Sequence, residues 1–99
     1  MAWRCFMAEN EMDKTKPGAM WYGERKGRRL WVVMLPCLAE FWQDQRTTDG
    51  RHPWTCTGEP PNVTVTPSIH YIGLYHGFLI NGIFSDDPGI PRDANGHLL

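Results

Sequence analysis

The chain has 99 residues, and its 10 Lys and Arg face 11 Asp and Glu for a net charge of −1. That balance excludes the broad basic footprint of a non-specific nucleic-acid binder and the strong acidity of a DNA mimic. A hydrophobic share of 41%, with 21% charged residues and 5 Trp, suits one globular domain that buries large rings.

The 8 Pro and 10 Gly cut the chain into short pieces, and no stretch keeps a helical apolar period for three turns. Strands joined by turns are therefore expected. "WRCFM" (3–7) alternates and predicts a first strand, while polar 8–17 is a loop or one helical turn stopped by Pro17 and Gly18. "AMWY" (19–22) and "RLWVVMLP" (29–36) flank "ERKGRR" and predict a hairpin. The nearly all-apolar 30–35 reads as a central strand buried on both faces. "CLAEFWQD" (37–44) fits both periods, and strand or loop is preferred; 43–53 is an exposed connection.

"WTCTG" (54–58) alternates, "EPPN" breaks the strand, and "VTVT" (63–66) alternates again. "PSIHYI" continues it after a Pro that favours a sheet edge or a bulge. "YHGFLI", Asn81–Gly82 and "IFS" form the clearest hairpin, since both turn residues accept the positive φ of a type I′ turn. From residue 86 onward, Pro, Gly and charge predict a loosely held tail. The expected fold is mostly β, a small antiparallel sandwich or partly open barrel of about six to eight short strands with little helix. Its central strands are expected at 30–35, 54–58 and 75–80.

Cysteine usage sets the compartment. Cys5, Cys37 and Cys56 are an odd number without a CxxC pair, so free thiols and a cytoplasmic location are expected. No signal peptide is expected from "MAWRCFMAENEMDK", and 30–35 is too short to cross a membrane.

Chemistry-bearing clusters are few. His52 and Cys56 lie four apart, His70 and His76 six apart, and Cys37 stands alone, which falls short of the two close ligand pairs of a structural zinc site. Neither metal nor cofactor is assigned; were a metal held, Cys37, Cys56 and His76 would be its residues. No nucleophile elbow, GxGxxG or Walker pattern occurs, and Asp86–Asp87 reads as a solvated turn, so the chain is expected not to be an enzyme. An interaction surface fits better. If Val63 and Val65 point inward, Thr64 and Thr66 point out beside Asn62, near Tyr71, His76 or Trp54. Arg25, Lys26, Arg28 and Arg29 gather around Gly27 as a solvated tip or a contact for an acidic partner.

Trp54, Gly58, Pro61, Thr64, Pro67, Ser68, Ile69, Tyr75, His76, Gly77, Phe78 and Gly82 trace a Trp…Gly…Pro-x-x-Thr-x-x-Pro-Ser-Ile…[Cys or aromatic]-His-[Gly or Ser]-Phe…Gly pattern. It resembles a small domain family of phages and prophages without a characterised function, and Trp31 with "MLP" (34–36) is similar to the family's upstream half. The resemblance implies a phage or prophage origin, and with the interaction surface it leads to the expectation of a phage-encoded accessory protein that binds a host protein or complex in the host cytoplasm. An inhibitor of host defence, in the manner of anti-CRISPR proteins, is one form of this. A minor virion or assembly component and a degenerate zinc domain are the alternatives, and a homodimer is compatible with each. Some relatives carry a Cys-Pro-x-Cys knuckle and a Cys-His pair; here Cys37 is single and Tyr75 replaces the second Cys. A monooxygenase label borne by some members has no residue to support it here.

Overall fold

In the computed structural model, which describes residues 2–47, 49–51, 53–71 and 75–86, nine strands form two sheets. The strands are β1 (Ala2–Arg4), β2 (Phe6–Met7), β3 (Ala19–Arg25), β4 (Arg28–Met34), β5 (Glu40–Trp42), β6 (Thr55–Thr57), β7 (Thr64–Tyr71), β8 (Tyr75–Ile80) and β9 (Ile83–Asp86). One sheet has the order β2-β3-β4-β5 and the other β1-β9-β8-β7-β6, so each keeps two edges and neither closes into a barrel. All pairings are antiparallel except β2 with β3. A 3₁₀ turn, Asp13–Thr15, interrupts the polar segment before β3. No helix among the described residues is long and apolar enough to cross a membrane. Of the tail expected from residue 86 onward, Asp86 instead ends β9, and the rest, with Asp87, lies outside the described residues, as does His52.

The expectation of a mostly β sandwich holds, with more strands than the six to eight expected. The first strand is two. Trp3 and the buried Cys5 point inward, but the chain leaves β1 at Cys5, whose N–H donates to the Gly82 carbonyl at 2.6 Å, and enters the other sheet as β2. Alternation looks the same in both sheets, so it does not reveal the crossing. Residues 54–58 supply β6, an edge strand and not a central one. The central places of 30–35 and 75–80 are found as β4 and β8.

Two faces meet in one core. Met20, Trp31, Val33, Leu35 and Phe41 come from one side, and Val65, Ile69, Tyr75, Leu79 and Phe84 from the other. Phe41 stacks on Trp31 at 6.3 Å and receives Trp54 edge-on at 5.3 Å. β4 is buried on both faces as expected, and its outer cover is made by its neighbours' own rings. Trp21, Val32 and Trp42 lie in one cross-strand row, and Val32 is 0% exposed. Trp42 leans over Gly23, where an added Cβ would stand 2.6 Å from the ring.

Turn chemistry sets both hairpins. Asn81 and Gly82 have φ of 49° and 74°, the type I′ geometry expected from the sequence. Lys26 and Gly27, with φ of 54° and 74°, make the same turn between Arg25 and Arg28. Pro67 lies in a bulge of β7: between the pairs Val65–Leu79 and Ile69–Gly77, three residues of β7 face one of β8. The missing N–H of Pro is accommodated there without a broken ladder.

Candidate functional site

Beyond the buried Leu30, the β3–β4 ribbon runs into solvent, and no residue from Tyr22 to Arg29 is buried. Alternation sends Tyr22 and Glu24 to one face and Gly23 and Arg25 to the other. On the first face the Arg29 guanidinium lies 4.1 Å over the Tyr22 ring, which is 45% exposed. On the second, Arg25 lies 4.1 Å over Trp42 and its Nη1 is 3.2 Å from Asp44 Oδ1. Stacking of this kind holds a guanidinium in place with about 0.5–1 kcal/mol while leaving its edge open to a partner.

The following loop is placed to serve this site. Gln43 donates its N–H to the Trp31 carbonyl at 2.9 Å and accepts the Trp31 N–H at 3.2 Å on its side chain. Gln45 accepts the Trp42 N–H at 3.3 Å. These bonds extend the β4–β5 edge by a turn and bring Asp44 beside Arg25.

At the tip, Lys26 and Arg28 have no counter-charge among the described residues. Arg25 and Arg28 stand directly opposite in the register, a like-charge pair that destabilises a ladder. Lys26 holds a left-handed conformation that asparagine or glycine adopts more readily. Three local penalties thus coincide where four cations present themselves to solvent.

The other expected interface residues lie on the second sheet. Thr55 pairs with Thr66 and Thr57 with Thr64. Val63 and Val65 are fully buried, so the outward Thr row is as read from the sequence. Thr64 is partly spent on structure, its Oγ1 accepting the Asn81 N–H at 3.0 Å. Asn62 is exposed in the preceding turn, and Tyr71 ends β7 opposite Tyr75. His76 and the 37% exposed Phe78 share the outer face of β8. Trp54 is no surface anchor: it packs on Phe41 and donates Nε1–H to the Ser68 carbonyl at 2.9 Å. The basic tip and the Thr row therefore belong to different sheets and do not form one surface.

The residues named for a metal do not come together either. Cys37 and Cys56 pack against the core, and burial pushes both thiols up. His76 lies on the opposite side of its sheet from the core residues Tyr75 and Leu79. Tyr75, where some relatives have Cys, is 1% exposed, meets Phe84 edge-on at 6.0 Å and donates its hydroxyl to the Ser85 carbonyl at 3.4 Å. No three His, Cys, Asp or Glu side chains converge among the described residues. The knuckle-type zinc set does not fit this chain.

A shallow cleft of about 500 Å³ lies at the far end of the β3–β5 face, over Trp21, Met34 and Leu38. Lys14 reaches 5.4 Å from the Trp21 ring and pairs with Glu11 at 2.8 Å, so the chain already supplies a cation to this ring.

Sequence reasoning missed Tyr22, Trp42 and Asp44 as parts of the basic site. The hairpin register would have placed Tyr22 near Arg29, but Trp42 and Asp44 arrive only through the β4–β5 pairing. Compared with known protein families, curated proteins and solved structures, the chain matches none.

Proposed function

We propose that this chain is a non-enzymatic binding protein that engages an acidic protein surface through the end of the β3–β4 hairpin. The observation that carries this reading is the concentration of uncompensated charge there. Among the described residues Lys26 and Arg28 have no counter-ion, Arg28 faces Arg25, and Arg25 and Arg29 are pre-oriented on aromatic rings. Local rules are broken at functional sites more often than elsewhere, and an acidic partner would relieve each electrostatic penalty. Tyr22 adds an exposed ring that serves as the apolar anchor such interfaces use.

The mechanism is occlusion of the partner's surface, with rim charges steering the encounter. The resemblance around 54–82 favours a phage-encoded accessory role toward a host defence or regulatory complex. The test is affinity capture from a bacterial lysate with the wild type, Arg28→Glu and Thr66→Glu, the fold of each checked by circular dichroism. A protein retained by wild type and Thr66→Glu, released by salt and lost with Arg28→Glu, supports the reading. Retention by Arg28→Glu, or capture of nucleic acid alone, overturns it.

A further inference from the structure

We propose that His70 and His76 together bind one late divalent transition-metal ion, of the Zn²⁺ or Ni²⁺ class, on the outer face of the β6–β7–β8 layer. The two residues stand directly opposite in the β7–β8 register. Their rings lie nearly parallel, 23° apart, with centroids 4.5 Å from each other. From that spacing two ring nitrogens reach one ion at about 2.0–2.1 Å by modest side-chain rotation. The backbone ladder has already fixed the separation, so the ion recruits both ligands without ordering a loop. The pair lies on the other sheet from the basic hairpin, and it takes His76 but neither cysteine of the zinc set.

The surroundings say which nitrogen serves. His76 Nδ1 is buried, so Nε2 is the ligating atom. Nε2 now meets the Ser68 hydroxyl at 3.0 Å, presented by the bulge that Pro67 creates. A hydroxyl turns about its own bond, so Ser68 can yield the imidazole lone pair to the ion and bond a metal-bound water instead. His70 is exposed, which leaves the ion's other positions to water or to an external ligand. Imidazole nitrogen suits zinc and nickel, and the absence of a thiolate from this face argues against a soft-metal site.

The test uses the full chain, stripped of metal, titrated with Zn²⁺ against a chromophoric chelator and separately with Co²⁺ as an absorption probe. The expected result is one ion per chain, a Co²⁺ spectrum without thiolate charge transfer, and affinity reduced at least about tenfold by either His70→Ala or His76→Gln. Ser68→Ala keeps the ion bound, and circular dichroism reports the fold of each variant. Equal binding by wild type and folded His70→Ala overturns the proposal. So does a thiolate band in the Co²⁺ spectrum, or no binding by the wild type.

Discussion

Leu38 combines two unfavourable features in one residue: a φ of 64° and a 60% exposed apolar side chain. The turn that holds it is closed by Leu38 N–H to Leu35 O at 2.8 Å and Leu35 N–H to Ala39 O at 2.9 Å. A left-handed backbone costs a Cβ-bearing residue roughly 1–2 kcal/mol, and glycine's extra chain entropy offsets about half of it. Leu38→Gly is therefore expected to stabilise the fold by about 0.5–1 kcal/mol in urea unfolding. Gly23 is the opposite case, because the space above it belongs to Trp42. Gly23→Ala is expected to displace that ring and destabilise by about 1–3 kcal/mol, with a changed Trp fluorescence spectrum. Cys5 gives a pH signature. Burial pushes its thiol from 9.0 up to about 12, so the unfolded chain ionises first as pH rises. Its contribution is complete below pH 9 and declines as pH rises from 9 to 12. Urea unfolding at pH 8 and pH 10 should show a smaller drop in Cys5→Ala than in the wild type.

Single strands and turns behave as local patterns dictate. The I′ turn at Asn81–Gly82 needs positive φ, which both residues supply, and the apolar stretches flanking Gly27 predicted the other hairpin even though Lys26 is a poor residue for its turn. Pro67 likewise announced a bulge or an edge, because a residue without an N–H leaves a gap in a ladder. The hairpin's charges separate folding from binding at this scale. Arg28→Glu turns the repulsive Arg25–Arg28 pair into an attractive one. It is expected to raise stability by about 0.2–1 kcal/mol in chemical denaturation while abolishing capture of an acidic partner. A loss of stability on the same substitution would mean that Arg28 packs and does not merely repel.

Across the whole molecule, cohesion passes through the rings that join the two sheets. Phe41 touches Trp31 on its own sheet and Trp54 beyond it, and is fully buried. Phe41→Ala is expected to cost about 3–5 kcal/mol, seen as a lower urea midpoint with an unchanged m-value. What the sequence determined by itself was what depends on near neighbours along the chain: β class, the tight Asn81–Gly82 hairpin and the presence of the one around Gly27, the inward Val63 and Val65 with their outward Thr partners, and the apolar β4. Alternation and turn conformation are local quantities. The tertiary structure alone decided the rest. It split residues 3–7 between two sheets at Cys5, moved residues 54–58 to an edge, packed Trp54 against the core, and placed the Thr row and the basic tip on different sheets. It also assembled Arg25, Trp42 and Asp44 and set His70 beside His76. Each of these turns on which strand edge a segment meets. A period of two says which side chains share a face, but not which sheet that face belongs to or what lies across from it.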